Sequence, residues 1–417
     1  METQWQTLVV VLILSRWLTE IGLELLNMRH VRAHAGAVPE AFRGVMDEAT
    51  YARSVGYTLA KGRFNLVADT VQMLWLLPVL FSGVLPWVYQ SWLREFGASA
   101  GSTAFMFLAV MVAASLVSLP LDSYATFRLE QRFGFNNSTP RTWWLDRLKA
   151  LALTVALGWP VLTLILKLAE WAGRTWWLWA WAAVMLLQVL LIFIAPVLIM
   201  PFFNKFTPLA EGALRDRLLA LAGRTNFAAR SIEVMDGSRR SRHANAFFTG
   251  LGRLRKIVLF DTLLEQLTEG ELEAVLAHEI GHWKKNHIPR MLVWSAMSLL
   301  AGFFVLAWLT RQDWFYRAFG FEPGGIAVAL LLFGLLTGTA AFWLGPLVNA
   351  RSRRYEIEAD CFASKAVGGP DSLIAALRRL TEKNLGNLTP HPAYSAFHYS
   401  HPTLLERETS LRRSAYA

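Results

Sequence analysis

Seven long apolar segments constrain this chain more than any other feature of its sequence. They cover residues 6–26, 66–89, 102–121, 150–171, 176–200, 291–310 and 325–348. Each is about 20 residues or longer, enough for a helix to cross a hydrocarbon core of about 30 Å. Only 17% of the 417 residues are charged, against about 25% in an ordinary soluble domain. The sequence therefore predicts a mainly α-helical, polytopic membrane protein with seven transmembrane helices.

The first apolar segment could instead be a cleaved signal peptide, but its composition argues against that. It lacks a basic stretch at its start and a small-residue cleavage site at its end. Its apolar stretch also contains Arg16, Glu20 and Glu24. We therefore expect an uncleaved span.

The basic residues are divided unevenly between the two sides that seven spans would create. Segments 27–63, 123–149, 201–290 and 351–417 fall on one side and carry 35 of the 41 Lys and Arg residues. The positive-inside rule makes that side cytoplasmic. The net charge of +10 is thus explained by topology, and we expect no nucleic-acid partner.

A capped helix on the basic side carries a metal-binding pattern. Thr268, followed three residues later by Glu271, predicts a helix start with a capping box. On that helix His278 and His282 are four residues apart, so both imidazoles project from one face. Glu279 lies beside them. This H-E-x-x-H pattern indicates a zinc site in which two histidines bind the ion and the glutamate acts as a base.

A catalytic zinc ion needs a third protein ligand, and the segment after the seventh apolar segment offers one. If residues 351–363 are helical, Glu356 and Asp360 share one face. Glu356 then completes a His₂Glu site, and Asp360 can hold a ligand histidine through its second ring nitrogen. Glu358 points elsewhere, and we expect it on a solvated helix face.

Close to the C-terminus, residues 398–407 contain His401, which is followed by proline, and end in Arg407. An isolated late histidine is usually structural. Here its imidazole could also hydrogen-bond a substrate carbonyl or an oxyanion.

Two short strand-like runs, 231–235 and 256–260, precede the zinc helix, and Asn245-Ala-Phe-Phe lies between them. We expect a short β-hairpin. It either simply packs on the helix or exposes an edge with which an extended peptide can pair.

Upstream, a turn is predicted at 134–137, and it either connects two helices or lines the catalytic space.

These features divide the chain into four parts. Residues 1–200 contain five spans with their loops, and residues 291–350 contain the last two. Residues 201–290 carry the H-E-x-x-H helix, and residues 351–417 carry the third ligand. We expect the second and fourth parts to be catalytic segments on the cytoplasmic side.

In this order and spacing, the motifs resemble those of the type I CAAX prenyl endopeptidases, which are multi-spanning zinc metalloproteases. The matching motifs are Gly134-Phe-Asn, 201–209, Asn245-Ala-Phe-Phe, 257–264, 278–282, 356–360 and 400–407. The resemblance covers nearly the whole chain. It implies seven transmembrane helices enclosing a large water-filled chamber, with a gluzincin-like zinc domain at its cytosolic end.

The same resemblance implies roles for individual residues. His278, His282 and Glu356 would be the ligands of one zinc ion, and Glu279 would be the general base. Asn245 and His401 would bind the substrate carbonyl. Asp360 and Arg407 would support the site. Eukaryotic members remove the last three residues after a prenylated cysteine. The implied partners are a peptide or protein substrate, with or without a lipid, and membrane lipid.

The membrane expected for this chain is the bacterial inner membrane, or the endoplasmic reticulum if the source is eukaryotic. One alternative is a quality-control metalloprotease of the HtpX type, which shares the zinc motifs but usually has fewer spans. Intramembrane site-2 proteases carry the motif within an apolar span, whereas Trp283-Lys-Lys-Asn follows it here. A third alternative, a non-catalytic scaffold or channel, would not need Glu279.

Overall fold

The computed structural model describes residues 2–227, 231–249 and 255–415. Most of these residues are helical, and a small four-stranded sheet and short connecting segments make up the rest. The architecture is therefore mainly α, as the sequence predicts.

Five helical stretches are long and apolar enough to cross a membrane. They are Glu48–Phe81, Ala100–Phe133, Pro140–Trp171, Gly173–Phe203 and His287–Leu309. A sixth is added if Ile326–Phe342 and Gly345–Val367, which are bent by 61° at a short break, count as one span. Large apolar side chains face outward on these helices; Leu186 and Leu198 are each 66% exposed. Such a surface is suited to lipid.

The helices follow one another along the whole chain. Those of the first half are α1 Glu2–Ala33, α2 Glu48–Phe81, α3 Val84–Phe96, α4 Ala100–Tyr124, α5 Gln131–Phe133, α6 Pro140–Trp171, α7 Trp176–Ile194, α8 Met200–Phe203 and α9 Ala213–Arg224. Those of the second half are α10 Asp261–Gln266, α11 Glu269–Lys284, α12 His287–Leu309, α13 Asp313–Arg317, α14 Ile326–Phe342, α15 Gly345–Val367, α16 Asp371–Lys383, α17 Pro392–His398 and α18 Leu404–Ala415. Two π-helical segments, Ala125–Glu130 and Ala195–Ile199, continue α4 and α7.

The first predicted span lies in α1, whose charged residues face protein partners. Glu24 is buried and accepts hydrogen bonds from Asn65 Nδ2 on α2 and from the Tyr394 hydroxyl on α17, each at 3.2 Å. Glu20 Oε2 lies 3.5 Å from His398 Nε2. These contacts satisfy charges that lipid would not. Helix α1 is not among the stretches named above, so the count of seven spans stays a prediction.

The sheet is formed by β1 Phe206–Pro208, β2 Ser231–Met235, β3 Ala246–Thr249 and β4 Lys256–Phe260, in the order β1-β2-β4-β3. β2 and β4 confirm the two strands predicted at these positions. They are parallel neighbours, with Ser231 opposite Lys256, because the chain between them is long enough for a crossover. The expected antiparallel hairpin is instead formed by β3 and β4.

Helix α11 begins as its sequence predicts. Thr268 Oγ1 accepts a hydrogen bond from Glu271 N, and Glu271 Oε2 accepts one from Thr268 N, which completes the capping box. One face of the helix then enters an apolar core in which Leu276, Ile280 and Ala363 are buried. This core joins α11 to α15 and fixes the orientation of both helices.

The closest approach of α11 to α15 is at Gly281. A Cβ atom at this position would lie 3.0 Å from both the Cα and the carbonyl oxygen of Ala359, and 3.2 Å from Phe362 Cδ1. The first two neighbours are backbone atoms that cannot move aside cheaply. The helices are therefore this close only because residue 281 has no side chain.

We predict that Gly281→Ala destabilises the protein and weakens metal binding. At an open helical site this change stabilises by roughly 0.5–1 kcal/mol, but overpacking here should cost about 1–3 kcal/mol. The matched control is Gly223→Ala in α9, where a Cβ atom would meet nothing within 4 Å. Melting temperature and bound metal, measured in detergent, test the prediction. It is wrong if both variants melt alike and retain the same metal content.

Candidate metal centre

Three side chains from α11 and α15 converge on one point. His278 Nε2 and His282 Nε2 are 3.1 Å apart. Glu356 Oε2 lies 3.4 Å from the first nitrogen, and Glu356 Oε1 lies 3.3 Å from the second. His278 and Glu356 are buried, and His282 is partly buried. The fold thus brings the predicted third ligand to the two predicted histidines.

The spacing and chemistry of these atoms fit a tetrahedral metal ion. Atoms that lie 2.0–2.1 Å from zinc at tetrahedral angles are about 3.3–3.4 Å from one another. Two imidazoles and one carboxylate are also the protein ligands of many catalytic zinc sites. Glu356 Oε2 is buried without a well-oriented hydrogen bond in the described part of the chain, and a cation would satisfy it. The residues present therefore fit one divalent ion.

A buried ion pair of Asp360 and Arg407 contacts His278 at Nδ1, the ring nitrogen that does not face the other ligands. His278 Nδ1 lies 2.8 Å from Asp360 Oδ1. Arg407 Nε and Nη2 donate to the two oxygens of Asp360, at 2.8 and 2.5 Å. Burial alone would lower the pKa of the Arg407 guanidinium, but Asp360 raises it, so this charge is fixed. Because Asp360 accepts the Nδ1 proton, His278 directs its Nε2 lone pair at the metal position.

A second histidine, which the sequence analysis did not identify, holds His282 in a similar way. His282 Nδ1 lies 3.0 Å from His287 Nδ1, and His287 Nε2 lies 3.1 Å from Glu358 Oε2. His287 is buried and stacks on Tyr355, with 4.3 Å between ring centroids. With Glu358 accepting the Nε2 proton of His287, His287 Nδ1 can accept the proton of His282. The lone pair of His282 Nε2 then also points at the metal position.

The contact between His282 and His287 depends on a break in the helix. In a continuous helix, residues five apart lie about 140° from one another around the axis. Asn286 has a φ of 55° and separates α11 from α12, which turns His287 back towards His282. The sequence offered one signal for this break, an asparagine directly before the histidine, because asparagine tolerates the left-handed conformation.

The prediction that Glu358 lies on a solvated helix face is confirmed only in part, because 42% of its side chain is exposed.

Glu279 lies next to the ligands on α11. Burial raises the pKa of its carboxyl above the ordinary value, and the nearby Glu356 adds to this effect. His278 and His282 oppose it. A carboxyl whose pKa is raised is a stronger base, so it accepts a proton more readily than an ordinary carboxylate. This environment suits the predicted base.

His401 and Asn245 lie at the border of the site. His401 Nε2 is 3.5 Å from Glu356 Oε1, and 64% of the His401 side chain is exposed, so its ring lies between the ligands and solvent. Asn245 directly precedes β3, and its Oδ1 accepts a hydrogen bond from Ala246 N at 2.9 Å. In the described ranges, no hydrogen bond or ion pair joins Asn245 to the three ligands. The structure thus gathers most of the predicted residues around one point, and Asn245 lies at the sheet edge.

Comparison with known proteins assigns the family. The profile described as "CAAX prenyl protease N-terminal, five membrane helices" matches residues 27–205, and that of "Peptidase family M48" matches residues 208–415. This chain belongs to peptidase family M48. The M48 peptidase is an integral, multi-pass membrane protein and a metalloendopeptidase, which confirms the fold and activity predicted from its sequence.

Several relatives match the M48 peptidase over nearly its full length. CAAX prenyl protease 1 of Saccharomyces cerevisiae is 36% identical over 406 residues, which cover 90% of this chain and 88% of the relative. The homolog from Oryza sativa subsp. japonica is 35% identical over 396 residues, 93% of each chain. The Homo sapiens homolog is 32% identical over 427 residues, 90% of this chain and 88% of the relative. The crystal structure of S. mikatae Ste24p matches with a TM-score of 0.92 at 33% identity, covering 98% of this chain and 99% of that one.

We predict that His287→Phe weakens metal binding to the M48 peptidase. The ring still fits against Tyr355 but no longer accepts the His282 proton, and loss of such a partner typically lowers metal affinity about 10–100-fold. His34→Phe, an exposed histidine at the end of α1, is the control. Competition with a chromophoric chelator measures the affinity. Equal affinities for His287→Phe and the control would show that His287 does not orient the ligand.

Proposed function

We propose that this chain is a zinc endopeptidase that removes the C-terminal tripeptide of prenylated substrates. The observation that carries the proposal is the convergence of His278, His282 and Glu356, with Glu279 beside them. The yeast, rice and human relatives, CAAX prenyl protease 1 and its homologs, indicate the substrate class.

Each residue has a defined task in the proposed mechanism. A bound zinc ion supplies Lewis-acid polarisation of the scissile carbonyl and makes an attacking water more acidic. Glu279 accepts a proton of that water as the water oxygen adds to the scissile carbonyl carbon, and then transfers the proton to the amine nitrogen, so that the C–N bond breaks. His401, whose ring is exposed next to the ligands, donates to the substrate carbonyl. Asn245 holds the peptide backbone at the sheet edge.

Asp360 and Arg407 support this arrangement rather than taking part in bond breaking. They fix the tautomer and the ring plane of His278, as described above. Their ion pair is almost completely buried, with 0% of the Asp360 side chain and 11% of the Arg407 side chain exposed. Such a pair holds its geometry without competition from water.

The membrane part has a proposed role as well. A cavity of about 330 Å³ lies between α2 and α4, and polar residues such as Gln72, Ser115 and Ser118 line it. We infer that it belongs to an aqueous chamber between the helices. The excess of Lys and Arg favours a cytoplasmic position for residues 201–290 and 351–417. The membrane would be the bacterial inner membrane, or the endoplasmic reticulum in a eukaryotic source.

We predict that Glu279→Gln keeps the metal and abolishes cleavage. The amide keeps the shape of the side chain but cannot accept a proton, and general-base catalysis typically contributes about 10²–10⁴-fold. Glu265→Gln, which changes an exposed glutamate of α10, is the charge-matched comparison. Metal analysis and a peptide-cleavage assay are run on the same preparations. Near-normal turnover by Glu279→Gln would remove this residue from the mechanism.

We predict that a farnesylated CAAX peptide is cut faster than its unprenylated twin, and that a chelator stops both reactions. Added zinc should restore them. Activity on both peptides and on misfolded membrane proteins, without preference for the lipid, would instead favour a quality-control protease. Cleavage that continues after complete removal of the metal would contradict the zinc mechanism.

A further inference from the structure

Among the described residues, no strand pairs with the outer edge of β3. β3 is the last strand of the described sheet, and Phe260 N donates to Asn245 O at 3.1 Å. Residues alternate along a strand, so the backbone groups of Ala246 and Phe248 point away from β4. Ala244 has no backbone hydrogen bond within the described ranges. An extended peptide can therefore pair with this edge from Phe248 back to Ala244.

The predicted turn at 134–137 closes this edge at one end. Phe135 O accepts a hydrogen bond from Arg242 N at 3.1 Å, and Asn137 N donates to Arg240 O at 3.0 Å. Gly134, with a φ of 85°, allows the chain to turn into this position. Residues 135–137 thus occupy the place into which a paired peptide would otherwise continue.

The closed end limits the length of a bound C-terminus. Antiparallel pairing is the more stable arrangement, and it directs the peptide's C-terminus towards Phe135. From Asn245 back to Arg242 there are three residues, or about 10 Å of extended chain. With the cleaved bond placed opposite Asn245, whose proposed role is to hold the peptide backbone, three substrate residues fill the remaining edge.

A polar cavity of about 370 Å³ opens beside this closed end. The rings of Phe135 and His243 stack in its wall, with centroids 4.2 Å apart. Glu130, a carboxylate in the wall, accepts a hydrogen bond from the Tyr57 hydroxyl at 2.7 Å, and His243 Nε2 lies 3.6 Å from its other oxygen. The Tyr57 hydroxyl and His243 thus face this carboxylate, and Lys61 also lies near enough to act on it electrostatically.

One cation of the cavity wall is available for an anionic ligand. Arg240 forms two hydrogen bonds with Asp146, at 2.7 and 2.9 Å, and Arg147 pairs with Asp122 at 3.2 Å. Lys61, in α2, has no carboxylate oxygen within 4.0 Å of its Nζ in the part of the chain that the structure describes. It is exposed in the cavity and lies 5.1 Å from the ring of Tyr57.

We propose that the 134–137 turn and Lys61 form a subsite for the C-terminal carboxylate of the substrate. The turn stops the peptide three residues beyond the cleaved bond, and the Lys61 ammonium pairs with the carboxylate that ends it. This subsite rests on the proposed function for the position of the cleaved bond. It makes the enzyme selective for substrates whose free C-terminus lies three residues beyond the cleaved bond.

The test compares three forms of one farnesylated peptide: the free acid, the C-terminal amide and the acid extended by one glycine. The wild-type enzyme should prefer the free acid over both others by about tenfold to a hundredfold in kcat/KM, the range for a hydrogen bond between charged groups. Lys61→Met should bring the acid-to-amide ratio close to one, and Lys61→Arg should restore most of it. Lys365→Met, which removes an exposed charge at the end of α15, should keep the wild-type ratio.

Two results would overturn the subsite. One is equal cleavage of the acid, the amide and the extended peptide by the wild-type enzyme. The other is an acid-to-amide ratio that Lys61→Met leaves at the wild-type value.

A binding measurement separates failure of the subsite from failure of the proposed function. Calorimetry on zinc-loaded Glu279→Gln compares the product tripeptide as free acid and as amide, with and without Lys61→Met. A preference for the acid that requires Lys61 supports the subsite even if no peptide is cleaved, in which case the proposed function falls alone. Cleavage without any such preference leaves the endopeptidase in place and removes the subsite.

Discussion

The contact between the backbones of α11 and α15 at Gly281 is the constraint on which the metal site depends. The two histidines and the glutamate come from helices that are far apart in sequence, and their ligand atoms must lie within about 3.4 Å of one another. A side chain at residue 281 would push Ala359 away, and Glu356 and Asp360 would move with it. The spacing of the motif therefore defines the site only together with this close packing.

Buried charge explains why a third element, α18, is needed. Asp360 is fully buried, and an isolated carboxylate in that position would be strongly destabilising. Arg407 neutralises it, and the pair leaves no charge for Glu356. With both imidazoles neutral, as metal ligands must be, the carboxylates of Glu356 and Glu279 are not fully balanced by protein charges. A divalent cation balances both carboxylates, so metal binding and folding of this region should be coupled.

Local patterns in the sequence were sufficient where one element determined the geometry. The capping box of α11, the shared face of Glu356 and Asp360, and the two strands at 231–235 and 256–260 all follow from spacing within a single element. His287 could not be found in this way, because its position depends on the left-handed turn at Asn286. β3 was missed for a similar reason: a four-residue strand gains its stability from pairing with β4 and from packing on α11, neither of which is visible locally. The charges of α1 leave the number of spans undecided because their partners lie in distant parts of the chain.

The membrane part also shapes the region next to the metal. Arg240, which precedes the sheet edge, is bound by Asp146 of α6 and by the carbonyl oxygen of Phe203 at 2.7 Å. The turn at 134–137 follows α5, which itself follows the π-helical continuation of α4. The candidate metal ligands all lie in residues 201–290 and 351–417. The membrane helices can therefore differ in the residues that they place beside the edge of β3 without changing those ligands. In the proposed division of roles, selectivity for the substrate end resides in membrane-part residues such as Lys61, and hydrolysis in residues of α11 and α15.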